Sequence, residues 1–365
     1  MEPGGDGNGS EVVDPVDPDK DDESSTTNPD YNEKPAYNKE FNALADVFES
    51  KYYYGRSFLN ENEQEVYDHI LQKLIKFEVT DENKDKYLIC VPLYNDGVKI
   101  EYTSDILQKL AKITGYIAYD EQRITYLYSV APKGSSGTRL EYTYSSSDRK
   151  YYTKEVCFNV RNVNGGDLYS AKLIDTKNKY TEEMQQVEEG VVKILSKLKA
   201  DMTDAQKFRV LHDEFLKLVS YGQKDEGTGD IRGGFLYNKV FCEGYARSLA
   251  YLCQRAGLEC IYVVGTASYT GNGDGGSGEA FDHAWIKVKL DDKWYNVDPT
   301  NNDSLNPNSD GIVYNDFLLS DSDFNNDHEA GWTAGVTGVR QQTSYPSFPE
   351  ANESMDIKLT EYSNN

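Results

Sequence analysis

Apolar residues recur every three or four positions in several stretches of the chain, which is the spacing of one face of an α-helix. Asn60 and Glu63 form a capping-box signature ahead of the first stretch, and Thr203 with Gln206 repeats it ahead of the fourth. Gly257 stands at a C-cap position after the fifth. The expected helical faces are Val66, Tyr67, Ile70, Leu71, Leu74 and Phe77; Ile106, Leu107, Leu110 and Ile113, from about Ser104; Met184, Val187, Val191, Leu195 and Leu198, from Thr181; Phe208, Leu211, Phe215 and Leu218; and Tyr245, Leu249, Leu252 and Ala256, from Cys242.

Apolar and polar residues alternate in other stretches, which is typical of β-strands. Thr125–Val130, residues 140–144 and Val156–Val160 lie close together in the sequence, with a turn at Gly134–Gly137 between the first two. A further strand, Ile261–Thr266, follows the helix that starts with a cysteine. Helices and strands are mixed along the chain, so the pattern predicts an α+β fold.

Two further alternating stretches flank Asp291 and Asp292, and together they predict a β-hairpin with a two-residue turn. In such a hairpin Ile286 faces Val297, and an apolar side of the hairpin is available to the core. A bulge in either strand would break this register.

The other side of the same hairpin carries polar chemistry. His283 is expected across from Thr300, and Trp285 across from Asp298. Asp298 is then the diagonal neighbour of His283, and diagonal neighbours lie roughly 7–8 Å apart at the backbone. An imidazole and a carboxylate reach each other over that distance, so we expect these two side chains to meet.

Composition and charge limit the partners. The chain has 365 residues, with 62 acidic against 38 basic side chains and a net charge of -24. This charge repels phosphate backbones, and no basic stripe with interleaved aromatic residues occurs, so we expect no nucleic-acid partner. No run of eighteen apolar residues occurs either, and the sequence predicts no transmembrane segment.

Residues 1–35 have the composition of a spacer. They carry 11 acidic residues against 2 lysines and are rich in Gly, Pro, Ser and Asn, so we expect a disordered acidic linker. They lack the charged and apolar regions of a signal peptide. An acidic tether of this kind is what would remain after an export or lipid-anchor segment, which favours an extracellular or cell-envelope location. A plain flexible tail is the alternative.

The rest of the chain divides into three parts. Residues 36–178 are expected to form a smaller α+β region, in which the many tyrosines are typical of a β-surface. Residues 179–332 hold the candidate chemistry. Residues 333–365 form a polar tail to which the sequence assigns no structure.

Five cysteines are scattered along the chain, without Cys-x-x-Cys spacing and without histidines at zinc spacing. We expect Cys90, Cys157, Cys253 and Cys260 to pack as small hydrophobic residues. Cys242 differs because it starts a helix. Cysteine usage therefore leaves the redox compartment open.

The start of a helix is a place where a thiol can be activated. Free backbone N–H groups and the helix dipole stabilise a thiolate there, and the N–H of Cys242 can stabilise an oxyanion during acyl transfer. His283 would take the thiol proton and later protonate the leaving group, and Asp298 would hold the imidazole in the correct tautomer. The alternative is a buried cysteine beside a purely structural hairpin.

Several motifs, in the same order along the chain, resemble the transglutaminase-like superfamily, which shares a papain-like core. They are Gly-Gly-Phe-Leu-Tyr-Asn-Lys-Val-Phe-Cys-Glu-Gly-Tyr-Ala, Ala-Gly-Leu-Glu-Cys-Ile-Tyr-Val-Val-Gly, Asp-His-Ala-Trp, Trp-Tyr-Asn-Val-Asp-Pro-Thr, Tyr-Asn-Asp-Phe-Leu-Leu-Ser and Asp-His-Glu. The last two, at Tyr314–Ser320 and 327–329, resemble the closing segment of bacterial members. The resemblance covers about residues 180–332.

The resemblance implies that residues 179–332 are a transglutaminase-like catalytic domain in which a catalytic helix packs on an antiparallel sheet. It implies Cys242 as nucleophile, His283 as base and Asp298 as orienter. It also implies a protein or peptide substrate, including cell-wall peptide, and a bacterial protein of the secreted or surface type.

A second oxyanion donor is less well marked. Tyr221 stands in the position of the family's aromatic residue ahead of the nucleophile segment, and it is a candidate together with Gln223. Cross-linking relatives in eukaryotes use calcium, but the Asn/Asp-rich loop at residues 306–311 has phenylalanine at the twelfth position, where a calcium loop has glutamate. We therefore expect no metal ion and no cofactor.

Three functional hypotheses remain. The first is a cysteine hydrolase that forms a thioester at Cys242 and passes the acyl group to water. The second delivers the same thioester to an amine and so cross-links proteins. The third is a cell-surface binding module that retains the fold without catalysis. Analogy with bacterial relatives that lack a calcium site favours the first hypothesis.

Overall fold

The structure is a computed structural model that describes residues 36–129, 140–160, 172–222, 227–268, 281–303, 311–331 and 347–362. These residues belong to one structural unit. The expectations for the linker at residues 1–35, the turn at Gly134–Gly137 and the candidate Gln223 lie outside the described residues. In this part of the chain, no helix is long and apolar enough to cross a bilayer.

The fold mixes helices and strands, as the pattern predicts. The helices are α1 Glu61–Ile75, α2 Ile106–Asp120, α3 Leu173–Leu195, α4 Asp204–Leu216, α5 Cys242–Ala256, α6 Pro299–Asn302 and α7 Asp321–Phe324. The strands are β1 Leu88–Pro92, β2 Leu127–Ser129, β3 Tyr142–Ser145, β4 Lys150–Thr153, β5 Glu155–Val160, β6 Ser220–Tyr221, β7 Lys239–Val240, β8 Cys260–Ala267, β9 Phe281–Leu290, β10 Lys293–Val297, β11 Phe317–Leu319 and β12 His328–Ala330. Short 3-10 helices cover Ser50–Tyr52, Gly55–Phe58, Tyr94–Asp96 and Ile357–Thr360, and a short π-helix covers Gly233–Tyr237.

The helix starts follow their local signals. Both predicted capping boxes are present, at the first turns of α1 and α4. Gly257 ends α5 in the left-handed conformation. One member of an expected buried face is wrong: Leu107 is exposed, because Ile106, four residues before Leu110, takes the inward position at the start of α2.

Eight of the strands form two antiparallel sheets. The N-terminal sheet has the order β1-β5-β2, and the larger sheet has the order β11-β10-β9-β8-β12. Strands β1, β4, β6, β11 and β12 were not expected from the sequence. Helix α5 packs on β8 and β9 of the larger sheet, which is the helix-on-sheet arrangement that the resemblance implies.

The helix α3 connects the two halves of the chain. It starts at Leu173, before the predicted start at Thr181, and it runs through the division that the sequence suggests after residue 178. Its buried residues Tyr180, Met184 and Val187 belong to one hydrophobic cluster that also includes residues of α1, α2 and α5. The same core therefore supports both sheets.

The end of the described chain packs back on the larger sheet. Lys287 of β9 donates from Nζ to the Pro349 carbonyl at 2.7 Å, and the Ala351 N–H donates to Asp321 at 2.9 Å. Residues 347–362, to which the sequence assigned no structure, thus cover part of the sheet beside α7.

Cys90 and Cys157 do not pack as separate hydrophobic residues. They stand opposite each other on β1 and β5 and form a disulfide. The expectation for these two residues was wrong, because their pairing depends on the register of two strands 67 positions apart. Cys253 and Cys260 are buried free thiols, as expected.

We expect the disulfide to add about 2–4 kcal/mol to the free energy of unfolding, because it restricts the unfolded chain between two distant residues. Urea unfolding with and without reductant measures this contribution. The double variant Cys90→Ser with Cys157→Ser should unfold like the reduced wild type and should not respond to reductant. Equal midpoints for the oxidised and reduced wild type would contradict the bridge.

Candidate active site

Cys242 is the first residue of α5, and its side chain is partly exposed. Its N–H lies in the first turn of the helix, where no intrahelical acceptor exists. The preceding residue, Phe241, is extended and donates its N–H to the Thr228 carbonyl at 3.3 Å. A Cβ at Gly244 would collide with the same carbonyl oxygen. Glycine in the Cys-Glu-Gly motif therefore allows the backbone around Thr228 to hold the start of α5.

His283 lies on β9, which packs against α5. Its Nε2 is 2.7 Å from Oδ2 of Asp298, and it also has a side-chain hydrogen bond with Cys242. Because Nε2 is engaged with the carboxylate, Nδ1 is the ring nitrogen left for the thiol. The structure thus brings together the three residues that the sequence singled out.

The hairpin confirms the predicted register from its turn to the pair of Ile286 and Val297. Asp291 and Asp292 have positive φ angles of 48° and 64°, and Ile286 pairs with Val297. The ladder ends there, so the expected cross-strand pairs His283/Thr300 and Trp285/Asp298 do not form part of it. Pro299 starts α6 instead, since proline lacks an N–H and suits the first position of a helix.

Asp298 therefore reaches His283 as the cap of a helix rather than as a strand residue. Its Oδ1 accepts from the Thr300 N–H at 2.8 Å and from the Asn301 N–H at 3.3 Å, which leaves Oδ2 for the imidazole. Its own N–H donates to the Asp316 carbonyl at 2.9 Å. The carboxylate is fully buried and held from several sides.

Electrostatics make the pair an imidazolium and a carboxylate. Burial alone lowers the pKa of His283, but the charge of Asp298, its hydrogen bond and the contact with Cys242 outweigh burial and raise the pKa to about 10. Burial alone raises the pKa of Asp298, but His283 and His328 outweigh it and hold that pKa well below its ordinary value. The proton on His283 stabilises the fold fully below about pH 6.5, and this contribution is lost as the pH rises to about 10.

A fourth side chain belongs to the cluster and was not assigned a role from the sequence. His328 on β12 places Nε2 at 3.2 Å from the same Oδ2 of Asp298. It stood only within the Asp-His-Glu segment of the resemblance, and its separation of 30 residues from Asp298 carries no periodic signal. Strand β12 lies against β8 closely, since a Cβ at Gly265 would collide with the Glu329 carbonyl oxygen.

The ligand atoms of His283, Asp298 and His328 lie within 4.8 Å of one another, a spacing that a metal ion would accept. Imidazole–carboxylate hydrogen bonds of 2.7 Å and 3.2 Å account for that spacing without an ion. We assign hydrogen-bonding roles to these residues.

Tyr221 lies near the nucleophile segment. It pairs with Val240 on the parallel strands β6 and β7, two residues before Cys242. Its side chain is exposed and stacks on the ring of Tyr245, with 6.4 Å between ring centroids. Tyr221 remains a candidate oxyanion donor, and the placement of Gln223 falls outside the residues that the structure describes.

Comparison with known proteins finds a match to one protein family. Residues 192–299, which include all three candidate residues, match the family model of the transglutaminase-like superfamily. This part of the chain is a transglutaminase-like domain. A segment of 64 residues is 42% identical to the kyphoscoliosis peptidases of Mus musculus and Homo sapiens, and it covers 17% of this chain and 10% of each relative. The match thus spans about a tenth of the length of these relatives.

Similar solved structures include a TGase, at 14% identity with a TM-score of 0.28, covering 61% of this chain and 52% of that one. A putative cysteine protease from Cytophaga hutchinsonii has 13% identity and a TM-score of 0.26, covering 45% of this chain and 62% of that one. The periplasmic domain of TgpA from Pseudomonas aeruginosa has 17% identity and a TM-score of 0.21, covering 46% of this chain and 63% of that one.

We expect the imidazolium of His283 to promote alkylation of Cys242 by the anion iodoacetate until the pH approaches about 10, where the imidazolium loses its proton. In Asp298→Asn this alkaline limb should move toward about pH 6.5, the ordinary value for imidazole, because the charge that raises the pKa is gone. The measurement is the alkylation rate of the Cys242 peptide between pH 5 and pH 11.

Asparagine keeps an oxygen that can cap α6, so this variant separates the charge of Asp298 from its capping role. An alkaline limb that stays in place in Asp298→Asn would contradict the ion pair.

Proposed function

We propose that this chain is a cysteine-nucleophile acyl-transfer enzyme that forms a thioester at Cys242 and hydrolyses amide bonds in protein or cell-wall peptide. The observation that carries the proposal is the linked set of hydrogen bonds between His283 and Cys242 and between His283 and Asp298, at the start of a helix packed on a sheet. A non-catalytic binding module has no need of a buried ion pair placed against a partly exposed thiol.

The proposed reaction follows from the geometry. The thiolate of Cys242 attacks the amide carbonyl carbon, and the N–H of Cys242 stabilises the oxyanion that forms. The imidazolium of His283 donates its proton to the leaving nitrogen, the C–N bond breaks, and an amine departs. His283, now neutral, takes a proton from water, whose oxygen attacks the thioester. The acid product leaves and the thiolate returns.

Two features support water as the acyl acceptor. Cys242 is partly exposed, so solvent can reach the thioester. The relatives with the 64-residue match are named peptidases. An amine in place of water would give protein cross-linking by the same thioester, which is the alternative that the experiment must separate.

The disulfide supports the proposed location. Disulfides persist in oxidising surroundings such as the cell exterior and the bacterial periplasm, and they are rare in the cytosol. The bridge between Cys90 and Cys157 therefore supports a secreted or cell-envelope protein.

The first test is thiol reactivity. We expect an alkylator at pH 6 to label Cys242 well ahead of Cys253 and Cys260, with the labelled residues identified by peptide mapping. Because the other two thiols are buried, the decisive comparison is with His283→Ala, which should slow the labelling of Cys242. His69→Ala removes a histidine outside the site and serves as the matched control, with no expected effect. Equal labelling rates of Cys242 in the wild type and in His283→Ala would contradict the proposed pairing of Cys242 with His283.

The second test separates the acyl acceptors. We expect protein and peptide substrates to yield new carboxyl termini in the wild type and none in Cys242→Ala. A labelled primary amine is offered in the same reactions. Incorporation of that amine in preference to hydrolysis would replace the hydrolase with the cross-linking enzyme.

A further inference from the structure

His328 has both ring nitrogens directed at carboxylates. Its Nε2 lies 3.2 Å from Oδ2 of Asp298, and its Nδ1 lies 2.7 Å from Oδ1 of Asp327. The side chain is fully buried, whereas the Asp327 side chain is 39% exposed. The residue thus links the buried carboxylate of the site to a carboxylate at the surface.

The two contacts fix the number of protons on the ring. A carboxylate oxygen accepts hydrogen bonds and donates none, so each ring nitrogen of His328 must carry a proton to make its bond. A neutral imidazole has one N–H and would leave a lone pair facing one of the carboxylates. Both contacts are satisfied together only by an imidazolium.

We propose that His328 is a positioning residue of the catalytic set. It is a buried imidazolium that donates one hydrogen bond to Asp298, and Asp327 stabilises its second proton by accepting the other hydrogen bond. This inference rests on the proposed function, because His328 acts through Asp298 and not on the substrate. It assigns to the Asp-His-Glu segment a role in orienting the carboxylate that in turn orients His283.

The surroundings suit a buried cation. The ring of His328 stacks on Phe324 with 4.0 Å between centroids, and the ring of Trp285 lies at an interplanar angle of 74° to it, with 5.2 Å between centroids. An aromatic face attracts a cation, and two charge-assisted hydrogen bonds offset the loss of hydration. The ionisable groups around the ring are Asp298, Asp327, His283 and Asp316.

This arrangement explains how the carboxylate of Asp298 is held in one orientation while it accepts hydrogen bonds from both histidines. Its Oδ1 is committed to the cap of α6, and its Oδ2 takes one hydrogen bond from His283 and one from His328. The second donor restrains the torsion of the carboxylate. It also places a positive charge near His283, with 5.7 Å between the ring centroids, which opposes the stabilisation of the His283 proton.

The direct test is the charge of His328. The chain has four histidines, so nitrogen-15 NMR of protein labelled on histidine gives few signals, each assignable by one substitution. We expect both ring nitrogens of His328 to be protonated at pH 7, and one of them to lose its proton in Asp327→Asn. A neutral His328 in the wild type at pH 7 would overturn the proposal.

The second test is the effect on Cys242. His328→Gln keeps one donor but no charge, and we expect it to slow alkylation of Cys242 about ten- to a hundredfold, by analogy with the hydrogen-bond partners that orient metal-binding side chains. Asp327→Asn should cause a smaller loss. In both variants the alkaline limb should move to higher pH, because the positive charge beside His283 is lost. A residue with a merely structural role would not move that limb.

Glu329→Gln is the matched control, since it removes one exposed carboxylate from the same strand and should change neither the rate nor the limb. If His328→Gln does not fold, the result for Asp327→Asn decides, because the Asp327 side chain is partly exposed and its replacement by the isosteric Asn disturbs the core less. Wild-type rate and pH profile in Asp327→Asn would overturn the proposal. An inert Cys242 in the wild type would count against the proposed function instead, and the charge of His328 would still be read from the NMR spectra.

Discussion

The carboxylate of Asp298 is the point on which the candidate site depends. One oxygen caps α6 and so fixes where the chain turns after the hairpin. The other oxygen faces two imidazoles from two different strands, β9 and β12. A buried carboxylate is stable only when its lone pairs are satisfied, so the helix cap and the two histidines stabilise the same charge. The backbone turn at α6 and the charges of the site therefore depend on the same carboxylate.

Cys242 reaches this charged pair because a helix packs on a sheet. Helix α5 brings Cys242 to the histidine strand, and the rest of α5 is buried in the core beside α3 and α4. Close backbone approach sets the fine position at both ends. Gly244 lets the Thr228 carbonyl lie against the start of the helix, and Gly265 lets β12 lie against β8. A side chain at either glycine would displace a member of the site.

Burial and exposure are divided within the site in a way that suits acyl transfer. His283, Asp298 and His328 are buried, so their charges interact in a medium of low effective dielectric and with little competition from water. Cys242 is partly exposed, so an acyl group and its acceptor can approach from solvent. The charged partners are thereby held in place before any substrate binds, while the sulfur of Cys242 remains accessible.

Much of this could be read from the sequence, because the relevant signals are local. Capping boxes at Asn60 and Thr203, the cysteine at a helix start, and the turn at Asp291 each involve residues a few positions apart. The α+β class, the helix on the antiparallel sheet and the meeting of His283 with its carboxylate follow from such patterns. Even there, the contact arises from a helix cap, because Pro299 ends the strand earlier than parity alone suggests.

Only the tertiary structure decided the contacts between distant segments. The disulfide joins residues 67 positions apart, and His328 meets Asp298 over a separation of 30. No periodicity or characteristic spacing in the sequence predicts either contact, because each depends on which strands the sheets bring together. The sequence by itself determined which residues could carry the chemistry. The register and packing of strands decided which other side chains hold them, because those contacts exist only after the chain has folded back on itself.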